Sequence, residues 1–171
     1  MRFKANALGA SAVVAVLLFV AACGGSGSSS TASTPAPTPT PQPPNVVATS
    51  ATVAGASMTI LTDDKGLTLY RWATDKGTTK INCVGGCAAV WPPFVLPATS
   101  TKPVAGKGVT GTLSVLANPD GKGQQVLYNG WPLYYYSKDK APGDTTGQGV
   151  AGKWFVVTPS EAPNVLSLIH I

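Results

Sequence analysis

The sequence predicts a small antiparallel all-β domain built from two similar repeats with pseudo-twofold symmetry, placed after a signal peptide and a disordered linker. Three observations carry that prediction. With 19 glycines, 15 prolines and 11% charged residues in 171, the composition is wrong for a helical bundle, which draws on Ala, Glu, Lys and Leu in heptads. Apolar and polar residues alternate over short windows bounded by Asp, Asn, Gly and Pro, the pattern of half-buried strands and turns. Two segments of the chain also match each other at a fixed offset.

From the amino terminus, Arg2 and Lys4 precede an uncharged apolar run from Ala10 to Ala22. That run has the length of a signal-peptide core and is short for a membrane span. It ends Val20-Ala21-Ala22-Cys23, small residues before a cysteine, as in the bacterial lipobox, so residues 1–22 read as a lipoprotein signal peptide and Cys23 as the lipidated residue. Residues 23–49 then form a Ser/Thr/Pro-rich tether with nothing to bury, flexible where Gly and Ser dominate and semi-extended where Pro does. The folding unit is residues 50–165, with repeat one at about 58–97 and repeat two at about 112–159. The last six residues, 166–171, match one reading frame of a transposase adapter used in sequencing libraries and read as an artefact, which would remove the one histidine, His170.

Within the domain, Met58 to Leu61, the turn Asp63-Asp64-Lys65-Gly66 and Leu67 to Trp72 read strand, turn, strand. Gly86 to Val90 has room for a single helical turn. Thr112 to Ala117, a turn over Asn118 to Gly123, and Gln124 to Tyr128 form a second hairpin, and Asn129-Gly130 adds a tight turn before Trp131. Strands near Pro93 to Leu96 and Trp154 to Thr158 complete the two units.

The repeat aligns Leu69-Tyr70-Arg71-Trp72-Ala73-Thr74-Asp75 with Leu133-Tyr134-Tyr135-Tyr136-Ser137-Lys138-Asp139, each followed by a loop and a tryptophan, Trp91 and Trp154. Further motifs are Cys83-x-x-x-Cys87-Ala88-Ala89-x-Trp91-Pro92-Pro93, Asn129-Gly130-x-Pro132-Leu133-Tyr134 and Pro142-Gly143-Asp144-x-x-Gly147-Gln148-Gly149. Together with the export signal, they resemble the bacterial "secreted repeat of unknown function" lipoprotein family over about Thr62 to Val157. The resemblance implies an exported two-repeat lipoprotein and a suspected link to envelope electron transfer, with no catalytic or cofactor residue to carry over.

The chemistry-bearing residues are few. Once Cys23 is lipidated, Cys83 and Cys87 are an even pair in an oxidising compartment, and a disulfide shaping the loop before Trp91 is expected, with a redox-active dithiol as the alternative. Asp144 reads as a turn former beside Gly143, and Asp75 and Asp139 as acceptors of loop amides. Calcium at Asp139 and Asp144, or paired-acid catalysis by Asp75 and Asp139, are the sharper alternatives. Tyr70, Trp72, Trp91, Tyr134, Tyr136 and Trp154 are expected in the core. Tyr135, between two core tyrosines on one strand, is the candidate exposed aromatic, suited to a flat ligand such as haem or a quinone, a glycan or a partner protein. Glycine triplets at Gly106 and Gly147 precede strand-like residues rather than a helix and do not bind dinucleotides, and no Gly-x-Ser-x-Gly elbow is present.

The formal charge of +5 includes Arg2 and Lys4, and the other basic residues are scattered without a stripe for phosphates, which excludes a nucleic-acid partner. The sequence therefore points to an extracytoplasmic lipoprotein anchored in the cell membrane or outer membrane. It reads as a non-catalytic binding or accessory module with an envelope protein as partner. No metal site and no cofactor are predicted, and haem, a quinone or calcium stays open. A redox accessory in envelope electron transfer is the first alternative, and a calcium- or glycan-binding surface module the second.

Overall fold

The computed structural model describes residues 45–76 and 80–164. The signal segment, Cys23 and the tail at 166–171 lie outside the described residues. The chain runs β1 (Val46–Val53), β2 (Ala56–Asp63), β3 (Tyr70–Trp72), a five-residue helix α1 (Gly86–Val90), β4 (Leu113–Ala117), β5 (Gln124–Tyr128), β6 (Trp131–Pro132) and β7 (Trp154–Val156). All strand pairs are antiparallel: β1 with β2, β3 with β7, β4 with β5 and β5 with β6.

Three turns expected from the sequence form for the expected reasons. The Asp63 carboxylate accepts from the amides of Lys65 and Leu67 at 3.0 and 2.8 Å, so the side chain itself closes the turn after β2. Asn118 does the same for Asp120 at 3.0 Å between β4 and β5. Asn129 and Gly130 both sit at positive φ, 49° and 84°, the conformation a two-residue hairpin between β5 and β6 requires.

The first hairpin is a correction. The sequence puts the end of the tether at residue 49 and the start of the domain at 50, but β1 begins at Val46, fully buried, and Asn45 donates its amide to Val104 O at 2.9 Å. The β1–β2 turn uses Ala54 and Gly55, both at positive φ. Ala-Gly is a weak turn signal beside Asn-Gly, which leaves this hairpin without a marker in the sequence.

A second correction concerns connectivity. The strands near Pro93 and Trp154 complete not their own unit but the other one. β7, from repeat two, pairs with β3 of repeat one, Tyr70 opposite Val156 and Trp72 opposite Trp154. Pro93 and Val95, from repeat one, bridge to Tyr134 and Gln125 of repeat two. The exchange is reciprocal bond by bond: Val157 N donates to Leu69 O at 3.0 Å as Phe94 N does to Leu133 O at 2.9 Å, and Leu61 N to Val157 O as Val126 N to Phe94 O, both at 2.8 Å. On the pseudo-twofold itself, Tyr70 N donates to Tyr134 O at 2.8 Å and Tyr134 N to Tyr70 O at 2.9 Å.

Because side chains alternate across a strand, these segments feed two cores. Ile60, Tyr70, Tyr134, Tyr136 and Val156 face one with Trp91, Trp154 and Cys83; Leu61, Leu69, Leu133 and Val157 face the other with Phe94, Val126 and Tyr128. Neither face of the central strands is left to solvent.

Candidate functional site

The axis of the two repeats gathers most of the sequence-selected residues into one centre. Tyr70 Oη donates to Asp139 Oδ2 at 2.6 Å, and Tyr134 Oη donates to Asp75 Oδ2 at 2.8 Å, so each repeat's tyrosine is bound by the other repeat's aspartate. The carboxylates are held in matching ways. Asp75 Oδ1 accepts from Asn82 N and Nδ2 at 3.2 and 2.8 Å; Asp139 Oδ1 accepts from Thr146 N and Oγ1 at 3.1 and 2.5 Å. Both acids thus receive loop amides, as expected, and in addition a phenol the sequence did not announce.

These contacts set the protonation of the centre. Burial, reinforced by the Asp139 carboxylate, holds the Tyr70 phenol far above the usual tyrosine range, and burial with Asp75 does the same to Tyr134. Burial pushes the Asp75 carboxyl up, against the hydrogen bonds from Tyr134 and Asn82 that favour its charged form. The tyrosines are therefore fixed hydrogen donors at neutral pH. Tyr70 Oη also accepts the Gly147 amide at 3.2 Å. That close approach explains Gly147 in its motif, since a Cβ there would lie 2.8 Å from the Tyr70 ring.

Over these phenols lie four rings in sequential stacking contact. Trp72 stacks on Trp154 with centroids 5.2 Å apart and planes 3° from parallel, Trp154 on Trp91 at 3.8 Å and 2°, and Trp91 on Tyr136 at 4.2 Å and 23°. The order is symmetric: the pseudo-twofold exchanges Trp91 with Trp154 and Trp72 with Tyr136. Tyr70 and Tyr134 meet Trp91 and Trp154 edge-on, at 5.5 and 5.2 Å. Such geometries add about 0.5–1.5 kcal/mol per pair beyond buried area.

Cys83 and Cys87 form the expected disulfide, with Cα atoms 5.2 Å apart. Cys83 belongs to the aromatic core, and Cys87 O accepts the Trp91 amide at 2.8 Å, so the bridge shapes the approach to that tryptophan. In the second repeat, Asp144 Oδ2 accepts from Lys140 N and Ala141 N, both at 2.8 Å, and these amides hold its carboxyl below the usual range. Gly143, at φ 81°, sits inside that turn, as the sequence implied.

Tyr135 is the residue the structure moves. It does leave the aromatic core, as alternation requires, but the opposite face is the aliphatic core rather than solvent. Its ring meets Phe94 edge-on at 5.6 Å and its hydroxyl donates to Asp63 Oδ2 at 2.9 Å. Burial, with the Asp63 carboxylate beside it, raises this phenol too. Tyr135 is half-buried and is not the exposed aromatic surface the sequence suggested.

Sequence reasoning missed several partners. Asn82 and Thr146, which clamp the aspartates, occupy equivalent positions but share no chemistry beyond a hydrogen-bond donor. Gln125 is fully buried between Asn118 Nδ2 and Leu133 O, both at 2.9 Å. Arg71 sits over the rings of Trp131 and Phe155, 4.6 and 5.3 Å from their centroids, and pairs with Glu161 at 2.8 Å. Among the described residues, no group of three or more His, Cys, Asp or Glu side chains could hold a metal ion, and no helix is long and apolar enough to cross a membrane.

Exchanged strands, reciprocal Tyr–Asp bonds and a shared tryptophan pair define a class: a β domain made of two interlocked copies of one motif. A family model described as "secreted repeat of unknown function" matches this chain twice, at residues 51–95 and 115–158, and the chain belongs to that family. The family's secreted character places the domain outside the cytoplasm. No curated protein and no solved structure matches the chain.

Proposed function

We propose that this chain is a lipoprotein anchored through Cys23 on the extracytoplasmic side of the envelope, and that its β domain is a non-catalytic binding or accessory module. One observation carries the second half: the groups most able to do chemistry are committed to one another. Tyr70 is bound to Asp139, Tyr134 to Asp75, Cys83 to Cys87, and Asp144 to its own turn. The first half rests on the lipobox-like Val20-Ala21-Ala22-Cys23 and on a secreted family.

Two measurements test it. Cys23→Ser is expected to move the protein from the membrane pellet to the soluble fraction; a variant that still sediments overturns the anchor. Protein purified from envelopes without refolding is expected to be colourless, with the mass of apoprotein plus lipid and one disulfide. A visible band that changes on reduction overturns the accessory reading.

A second reading, a redox accessory in the envelope, is favoured by the stacked rings. Three indoles and a phenol in contact form a set of one-electron donors packed closely enough to exchange charge without a metal.

A further inference from the structure

We propose that a surface cavity between Leu67 and Tyr135 binds a small single-ring aromatic compound bearing a hydroxyl or amine donor, the ring taking space that the chain's own side chains fill at the symmetric position. This inference rests on the binding-module reading above and gives it a site and a ligand class.

The cavity has a volume of about 130 Å³, and its wall includes Leu67, Pro92, Tyr135, Tyr136, Ser137 and Asp139. The pseudo-twofold matches three of these to residues across the axis. Asp63 N donates to Leu67 O at 2.9 Å where Tyr128 pairs with Trp131, so Leu67 stands in the place of Trp131. Tyr135 N donates to Pro92 O at 2.8 Å where Arg71 pairs with Phe155, so Pro92 stands for Phe155 and Tyr135 for Arg71.

The symmetric position is full. The Arg71 guanidinium lies over the Trp131 and Phe155 rings, and Trp131, only 5% exposed, donates its indole N–H to Ala162 O at 2.9 Å. Asn129 Nδ2 donates to Glu161 O at 2.7 Å and Asn164 Nδ2 to Asp75 O at 2.8 Å, which fastens the end of the domain beside that tryptophan. The chain after the equivalent Phe94 instead runs on along β5, Leu96 N donating to Gln124 O at 2.9 Å.

On the cavity side an indole is replaced by the isobutyl group of Leu67 and a phenyl by the pyrrolidine of Pro92. Tyr135 does not make up the loss, because its ring is engaged by Phe94 and its hydroxyl by Asp63. The cavity thus has the origin of a missing ring, and it has the size of one, since about 150 Å³ of apolar space holds benzene. Apolar walls with a few polar groups are the usual make-up of a small-molecule site. Asp139 places an acceptor in the wall. A carboxylate has about four acceptor positions. The Tyr70 hydroxyl and the Thr146 amide and hydroxyl use three of them, which leaves one for a donor on the ligand.

The test is an amide-shift NMR titration of the folded domain, disulfide intact, with benzyl alcohol as the probe and benzyl methyl ether as the same ring without a donor. Benzyl alcohol is expected to shift the amides of Leu67, Ser137 and Asp139 saturably, and the ether to bind several-fold more weakly. Leu67→Trp, which restores the symmetric arrangement, and Pro92→Phe, which fills the cavity from another wall, should each weaken binding by about tenfold or more. The wild-type shifts locate the site even if one variant fails to fold. An ether that binds as tightly as the alcohol overturns the donor requirement. Absence of saturable shifts, shifts centred elsewhere, or folded variants that bind as well as the wild type overturn the site. The accessory reading, tested separately by the spectrum and mass of envelope-purified protein, would survive that result.

Discussion

The loops that deliver Trp91 and Trp154 to the axis occupy equivalent places in the two repeats and are held by different chemistry. The first is closed on itself by the Cys83–Cys87 bridge, and Val84, Gly85 and Gly86 between the sulfurs are exposed. Among the described residues it is tied to repeat two by the Gly85 amide donating to Asp120 Oδ2 at 2.8 Å and by Ser137 N donating to Val90 O at 3.0 Å. The second has no disulfide and is laced to repeat one: Gly143 N to Gly66 O at 3.0 Å, Thr68 Oγ1 to Asp144 O at 2.6 Å and Thr145 Oγ1 to Thr52 O at 2.8 Å. The second loop is ordered by hydrogen bonds to its neighbours, whereas the exposed turn between the sulfurs of the first is constrained within itself by a covalent bridge. The staple diverges while the tryptophan it presents stays equivalent.

That comparison predicts symmetric losses at the axis and asymmetric losses in the loops. Trp91→Ala and Trp154→Ala should each cost about 3–5 kcal/mol in denaturant unfolding, as for large aromatic truncations. Because the two rings are in contact, the double variant should cost less than the sum, and clean additivity would break the idea of a shared centre. Tyr70→Phe and Tyr134→Phe should follow, each losing a charge-assisted hydrogen bond of about 1.5–3 kcal/mol. The Tyr134 change should cost more, because the hydrogen bond it removes is made to Asp75, which is fully buried, whereas Asp139 is partly solvated. Equal losses would show that burial of the acid does not distinguish the pairs.

Replacing both Cys83 and Cys87 with Ser should cost about 2 kcal/mol, since so short a loop yields a limited entropic gain. Chemical reduction should match it, with the second loop unaffected in hydrogen exchange. The smallest expected effect is a pH dependence. The Asp144 carboxyl is held below its ordinary 3.8, so its contribution is present above that value and disappears as the pH falls through the lowered one. Asp144→Asn should therefore lower the unfolding midpoint at neutral pH and not at the acid end. Asp75 has the opposite sign: its raised carboxyl favours the protonated fold below 3.8, and that advantage fades as the pH climbs through the raised value. An Asp144→Asn difference that persists in acid would mean that the turn depends on shape rather than charge.

Legibility in the sequence follows the range of the interaction. Turns closed by a side chain on its own backbone, at Asp63 and Asn118, are readable because donor and acceptor lie within a few residues, and Asn129-Gly130 because that dipeptide takes the positive φ its hairpin needs. The disulfide was readable because compartment and cysteine parity left one partner, and Asp144 because its acceptor role is local. The first strand was not, since Ala54-Gly55 signals a turn weakly and a strand beside a Pro-rich run looks like more linker. Alternation puts Tyr135 on the face opposite Tyr134 and Tyr136, but it says only that a face is opposite, not what covers it.

The sequence by itself determined the all-β class, the duplication, the turns and the secreted family, all properties of local pattern or of a motif repeated along one chain. Tertiary structure alone decided which copy each strand completes, that each tyrosine binds the other repeat's aspartate, and that Trp72, Trp154, Trp91 and Tyr136 stack in that order. The physical reason is that the two copies carry nearly the same pattern. A strand or a tyrosine finds an equivalent partner in either copy, and only closure of the whole chain around the axis selects one.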